Sequence, residues 1–202
     1  MNTRALDFFR SNYVPGRICL IGANDIVGKL IRDGQAGLTP DGKPSKWSHS
    51  FIMGEKRRDG EIYIFESDLH VNVDKWMVQN GAMESRISKW CGDTIENACV
   101  LGMELTPDEQ DAVVANAMAL AYGEPHFSYP VGELFGTLWA ILTRSLSRKN
   151  IFDDKYAAQC ATFVRMNYQK INHDPLGSPI DLSNTSPEKI FQSSTFTTKI
   201  VL

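Results

Sequence analysis

Two neighbouring segments rich in strand-forming residues constrain the fold more than any other part of the chain. Residues 47–53 and 61–67 are dense in aromatic and β-branched side chains, and the charged stretch between them, 54–60, ends in Asp-Gly. Such residues on both sides of a short reversal predict a β-hairpin. The first strand carries a histidine and the second a glutamate, so the hairpin can bring an imidazole and a carboxylate together.

A symmetric register of this hairpin would place His49 directly beside Glu66. With the turn centred between Arg57 and Arg58, these two residues face each other with Cβ atoms about 4.5–5.5 Å apart. A carboxylate in that position can fix the tautomer and orientation of an imidazole. A bulge or a slip of one residue would destroy this pairing. Taken singly, the histidine also fits a satisfied sheet residue, and the glutamate fits a surface acid at a strand end.

A cysteine far downstream has the sequence context of a reactive thiol. Cys160 precedes a helical stripe formed by Ala161, Val164 and Tyr168. We therefore expect the thiol in or near the first turn of a helix, where unpaired N–H groups and the macrodipole favour negative charge. The thiolate is the reactive form of cysteine. The alternative is a small buried apolar residue, which is the usual environment of cysteine.

Further helices and strands are predicted along the rest of the chain. A first strand covers 17–21 and is followed by a helix that Asn24 or Asp25 could cap. A strand at 98–105 leads into a helix over 106–122, which opens close to a capping box with proline at its first position. The tail ends in a Thr-rich, strand-like segment.

Residues 131–146 form the most apolar segment. The segment is too short to span a membrane and carries Glu133 and Arg144. A buried helix accounts for it, and so does a lid or docking helix beside an active-site groove.

Composition argues against several classes of partner. With 202 residues, of which 43% are hydrophobic and 22% charged, the chain fits a single globular domain over 1–202. Its formal net charge of −3 offers no electrostatic footprint for nucleic acid or for an anionic membrane.

The cysteine spacing argues against a metal site, and the N-terminus indicates where the protein is synthesised. The cysteines are widely spaced and contain no CxxC pair, which argues against a zinc site and requires no disulfide. No glycine pattern forms a phosphate loop, and we expect neither a metal nor a cofactor. The first ten residues lack an apolar core of signal-peptide length. We therefore expect synthesis in the cytoplasm, and any export would need a signal-independent route.

Taken together, these motifs resemble the permuted papain-like amidases. These YiiX-like proteins are the circularly permuted branch of the NlpC superfamily of cysteine hydrolases. The resemblance covers roughly residues 13–192 and implies a papain-like α+β fold, in which the nucleophile helix packs against an antiparallel sheet. The matching motifs are Pro15-Gly-Arg-Ile18, Ser48-His49, Glu66, Cys160 and the closing segment 182–190. The chain departs from the family at Arg17, where an aspartate is usual, and at Ala161-Thr162, where Ser-Glu is common.

The resemblance implies a Cys-His-Glu triad. Cys160 would be the nucleophile, His49 would accept and return its proton, and Glu66 would orient the ring. The backbone N–H of Cys160 would stabilise the oxyanion, helped by Gln159 or Tyr156. The remaining cysteines would be structural and the remaining histidines would lie at the surface or in loops: Cys19, Cys91, Cys99, His70, His126 and His173.

Three functions are compatible with this triad. The first is an amidase or endopeptidase acting on the stem peptides of bacterial peptidoglycan. It would be a cytosolic recycling enzyme or an effector with secretion-machinery or immunity-protein partners. The second is a lipid or thioester hydrolase or acyltransferase, which the apolar 131–146 segment favours. The third is a binding module on an inactive hydrolase scaffold, against which the retention of all three residue types argues.

Overall fold

Six antiparallel strands form one sheet in the computed structural model, which describes residues 3–72, 77–123, 155–177 and 181–202. The strands are β1 Ile18–Ala23, β2 His49–Lys56, β3 Ile62–Asn72, β4 Met77–Arg86, β5 Ile95–Gly102 and β6 Thr198–Val201. Their order across the sheet is β4-β3-β2-β1-β5-β6. The hairpin-forming strands β2 and β3 therefore lie inside the sheet, with a neighbour on each side.

Five α-helices accompany the sheet in the described residues. They are α1 Thr3–Ser11, α2 Ile26–Gly34, α3 Pro107–Tyr122, α4 Lys155–Gln169 and α5 Pro187–Gln192. Short 3₁₀ turns cover Gln35–Leu38, Ile87–Trp90 and Leu182–Asn184. The predicted α+β class is confirmed, as are the first strand, the strand near residue 100 and the terminal strand.

Helix starts follow the predicted capping chemistry. The Asp25 side chain accepts a 2.7 Å hydrogen bond from the Gly28 N–H and begins α2. Thr106 and Glu109 form a reciprocal capping box at the start of α3, with proline in the first turn. Each of these bonds satisfies an N–H group that has no partner inside its helix.

The two faces of the sheet bury separate apolar clusters, because successive strand residues point to opposite sides. On one face, α1 contributes Phe9 to a cluster with Phe51 and Ile64. On the other face, α3, α4 and α5 pack against the sheet, and Phe163 of α4 joins a cluster with Leu20. The sheet is therefore the middle of three layers.

The predicted register of the β2–β3 hairpin is wrong by two residues. Ile52 lies opposite Phe65, whereas the symmetric register would place it opposite Tyr63. Side chains alternate with a period of two along a strand. A shift of two residues therefore leaves His49 and Glu66 on a common face and moves them from a directly opposite to a diagonal relationship.

Two local features of the hairpin cause this shift. The loop closes through a 3.0 Å hydrogen bond from the Arg57 N–H to the Glu61 carbonyl, with Gly60 at a φ of 80°. A glycine in this left-handed conformation after a tight turn is typical of a bulged hairpin loop. A second irregularity lies between Met53 and Lys56.

Several predictions concern residues outside the described part. These are the apolar segment 131–146 and its alternatives as core, lid or docking helix, and also His126. Within the described ranges, no helix is long and apolar enough to cross a membrane.

Candidate active site

His49 and Glu66 contact each other, as the sequence predicts. His49 begins β2, opposite Ile21 of β1, and is 8% exposed. Its Nε2 lies 2.8 Å from Oε2 of Glu66. The contact is diagonal across the two strands, which a long glutamate side chain can span.

Glu66 is fully buried and accepts hydrogen bonds from three side chains. Besides His49, Trp90 Nε1 donates to Oε2 at 2.7 Å and Lys89 Nζ donates to Oε1 at 2.7 Å. Burial alone would raise the pKa of this carboxyl, but the hydrogen bond and charge of His49 and the charge of Lys89 outweigh it and lower the pKa. Glu66 is therefore an ionised carboxylate in the protein interior, where an unpaired charge would be very unfavourable.

Lys89 and Trp90 belong to the 3₁₀ turn that follows β4. Lys89 also donates to Oδ2 of Asp68 at 2.7 Å, so its ammonium lies between two carboxylates. The Trp90 ring lies 4.7 Å from the His49 ring, with an angle of 35° between their planes. Sequence reasoning missed both residues, because no spacing rule relates a 3₁₀ turn to a histidine on a distant strand.

Cys160 is the third member of this group. It lies on α4, which packs across β2 and β3, and it is 2% exposed. Burial lowers the pKa of His49, but the charge of Cys160, a hydrogen bond to its side chain and the contact with Glu66 together raise that pKa to about 10. Since Glu66 occupies Nε2, Nδ1 is the nitrogen left for Cys160. This arrangement favours a positively charged imidazole ring beside the sulfur.

Cys160 lies one turn into its helix, next to the first turn. Helix α4 spans Lys155–Gln169, so the cysteine is the sixth residue and belongs to the second turn. Macrodipole effects fall off within the first turn. The N–H of a residue at this position is bonded to the carbonyl four residues earlier, so the predicted role of the Cys160 N–H as oxyanion donor is not supported. The positive charge beside the sulfur is that of His49.

Two further candidates for the oxyanion site lie on the same helix. Gln159 and Tyr156 are within the α4 backbone. Their side chains lie outside those that the structure describes, and so does the side chain of His70.

The other cysteines lie away from such activating partners. All four cysteines are buried, and none forms a disulfide. Burial raises the pKa of Cys19, that of Cys91 to about 11 and that of Cys99 to about 12. A raised thiol pKa reduces the reactive thiolate, which fits a structural role.

His173 is engaged elsewhere. Its Nε2 lies 2.9 Å from Oε1 of Glu109, the capping-box residue of α3. Across the described ranges, no group of three or more His, Cys, Asp or Glu residues is placed to hold a metal ion.

Comparison of the chain with models of known protein families gave no match, and comparison with curated proteins gave none either. The chemistry of the site therefore rests on the arrangement of Cys160, His49 and Glu66.

Proposed function

We propose that this chain is a papain-like cysteine amidase or endopeptidase that cleaves amide bonds in the stem peptides of bacterial peptidoglycan. One observation carries the proposal: a buried histidine contacts both a cysteine and a carboxylate, with 2.8 Å between His49 Nε2 and Glu66 Oε2. A base that is held by a third group and lies within reach of a nucleophile is the recurring arrangement of covalent hydrolases.

The first half of the reaction forms a thioester. The Cys160 thiolate attacks the carbonyl carbon of the scissile amide, and the carbonyl oxygen becomes an oxyanion. The oxyanion then re-forms the carbonyl as the C–N bond breaks. The His49 imidazolium gives its proton to the departing amine. Glu66 keeps the ring oriented and stabilises its positive charge, which is the role of the carboxylate in related triads.

The second half releases the acid product. Neutral His49 takes a proton from water, and the resulting hydroxide attacks the thioester carbon. The C–S bond breaks, the Cys160 thiolate leaves, and the imidazolium–thiolate pair is restored. The net reaction adds one water across one amide bond.

The layering of the fold supports a papain-like assignment. Helix α4 presents the cysteine from one side of an antiparallel sheet, and interior strands β2 and β3 supply the histidine and glutamate. This is the arrangement that the resemblance to permuted amidases implies. Gln159 and Tyr156 remain our candidates for oxyanion stabilisation, since the Cys160 N–H belongs to the helix.

Stem peptides are the substrate class that the resemblance favours. In this proposal the protein acts as an effector delivered by a dedicated secretion machine, or as a recycling enzyme in the cytoplasm. An effector would also require an immunity protein as partner in the producing cell.

Digestion of purified cell-wall sacculi tests the proposal. The wild type should release peptide fragments that mass spectrometry can identify, and Cys160→Ala should release none. Cys99→Ala is the matched control, because it removes a buried thiol from β5 and should leave fragment release intact. Release of the same fragments by Cys160→Ala, or no release by folded wild type, would overturn the assignment.

A lipid or thioester hydrolase or acyltransferase is the second candidate, and exposed side chains on α2 favour it. Ile26 is 69% exposed and Val27 is 46% exposed, so the first turn of α2 presents two large apolar side chains to solvent. Helix α2 follows the end of β1 that pairs with the start of β2, so both residues lie at the same end of the sheet as His49. An apolar substrate surface could dock there.

Acyl release from lipid vesicles and from a soluble thioester separates the two candidates. If the substrate is a lipid, replacing Ile26 and Val27 with serine should reduce acyl release from vesicles but not from the soluble thioester. Failure of the wild type to cleave or transfer any acyl group in such a panel would eliminate this candidate.

A further inference from the structure

We propose that Lys89 and Trp90 are positioning residues of the hydrolase site, holding Glu66 and the His49 ring so that the imidazole stays aimed at Cys160. The inference rests on the proposed function, because it assigns to the turn Ile87–Trp90 a task in the same reaction. Neither residue belongs to the triad.

Lys89 adds its charge to that of His49 in keeping Glu66 ionised. Glu66 has no exposed surface, and its oxygen Oε1 accepts from Lys89 Nζ at 2.7 Å. The lysine side chain is itself only 25% exposed, and it also binds Asp68 at 2.7 Å. A buried carboxylate that lost this partner would be held mainly by the imidazolium, and protonation of the carboxylate would weaken its hold on the ring.

Trp90 fixes the plane of the imidazole in two ways. Its ring lies against the His49 ring at 4.7 Å, and its Nε1 donates to Glu66 Oε2 at 2.7 Å. That oxygen is the same one that binds His49 Nε2. The indole therefore restricts the histidine directly by ring contact and indirectly by orienting the carboxylate that holds it.

The turn that carries both residues is anchored in the core. Ile87 is fully buried, and the Cys91 thiol donates to the Ile87 carbonyl at 3.3 Å. The Cys91 N–H closes the turn on the Ser88 carbonyl at 3.2 Å. Lys89 and Trp90 thus project from a fixed backbone, which positioning to within a fraction of an ångström requires.

The test measures the charge state of Cys160 in the resting protein, without substrate. The ultraviolet absorbance of the thiolate, taken as the difference from Cys160→Ala, is followed against pH. At about pH 6 an ordinary cysteine is less than about 1% ionised, so thiolate at that pH reports the imidazolium partner. The wild type should show thiolate there, and an absence of it would contradict the proposed function itself.

Three variants then examine the two positioning residues. Lys89→Met keeps the length of the side chain and removes its charge, and Trp90→Phe keeps a ring and removes the N–H donor. Both should lower the thiolate fraction at about pH 6 and reduce kcat by roughly ten-fold or more, with a small change in KM. Lys89→Arg should retain much of the thiolate fraction and kcat that Lys89→Met loses, since arginine keeps the positive charge.

Matched controls exclude general loss of structure. Trp47→Phe also removes a buried indole N–H, which has no hydrogen-bond partner among the described residues. Lys43→Met removes a lysine from an exposed ion pair with Asp41. Both controls should retain the wild-type thiolate profile. A wild-type profile in Lys89→Met and Trp90→Phe, or equal effects in the controls, would overturn the inference while leaving the triad assignment standing.

Discussion

The Ser45 hydroxyl donates a 2.6 Å hydrogen bond to Oε2 of Glu188, joining the loop before β2 to helix α5. Both residues are buried, and the Glu188 N–H is bound in turn by Gln35 Oε1 at 3.0 Å. The same serine accepts from the Trp47 N–H at 2.9 Å. The backbone just before His49 is therefore held in place by a helix that lies much later in the sequence.

Loss of the hydrogen bond between Ser45 and Glu188 should reduce the free energy of unfolding. We expect Glu188→Ala to lower the free energy of unfolding by about 1–3 kcal/mol, because a buried hydroxyl loses its acceptor. Glu188→Gln keeps an acceptor oxygen and should cost less. Asp41→Ala removes an exposed ion pair with Lys43 and a hydrogen bond from the exposed Lys43 N–H, and it should reduce stability less than Glu188→Ala does. Urea denaturation measures all three, and equal stability of Glu188→Ala and wild type would contradict the expectation.

Neutralising the carboxylate of the triad should impair catalysis more than folding. Glu66→Gln keeps the size of the side chain, but an amide stabilises the imidazolium poorly. We expect kcat to fall by roughly 10²–10⁴-fold. Glu84→Gln is the matched control. Glu84 lies on the adjacent strand β4, forms an ion pair with Arg57 and does not belong to the triad. A fall of less than about five-fold in purified, folded Glu66→Gln would contradict the role of Glu66.

Folding stability should depend on pH through the same pair. Glu66 has a pKa lowered from 4.5 to about 2, so its contribution is present above pH 4.5 and disappears as the pH falls toward 2. His49 has a pKa raised from 6.5 to about 10, so its contribution is present below pH 6.5 and disappears as the pH rises toward 10. The joint contribution should be largest between pH 4.5 and 6.5.

Denaturation of the wild type and of His49→Gln across this pH range checks the prediction. The stability difference between them should shrink from pH 6.5 to 10. A difference that grows with pH in that interval would show that the histidine is held neutral in the folded protein.

A buried tyrosine provides a stability prediction away from the site. The Tyr168 hydroxyl donates to the Gly16 carbonyl, and burial raises its pKa. Tyr168→Phe should cost about 1–3 kcal/mol, since it leaves a buried carbonyl without this donor. Tyr122→Phe removes the hydroxyl of a 61% exposed tyrosine that donates to Glu84, and thermal unfolding should show a smaller loss.

The hairpin shows which parts of the site can be read from sequence. Strand periodicity requires His49 and Glu66 to share a face, and this survives a register error of two residues. The register itself depends on the left-handed Gly60 and on the irregularity after Met53, and neither has a distinctive sequence signal. The common face of His49 and Glu66 could therefore be predicted from the sequence, whereas the register between β2 and β3 could not.

Contacts made across the fold were less accessible to sequence reasoning. Lys89 and Trp90 reach Glu66 only because β4 pairs with β3 and then turns back over the sheet. These contacts depend on geometry that tertiary packing decides.

His49 and Glu66 are fixed within the sheet, whereas Cys160 lies on a helix that could slide along the sheet. His49 and Glu66 lie on β2 and β3, which are hydrogen-bonded to neighbouring strands on both sides. Cys160 comes from α4, which packs against these strands and is not part of the hydrogen-bonded sheet. A small translation of the helix along the sheet would uncouple the sulfur from the imidazole without breaking a strand hydrogen bond. Any control of the contact between Cys160 and His49 would therefore act most easily on the position of α4 against the sheet.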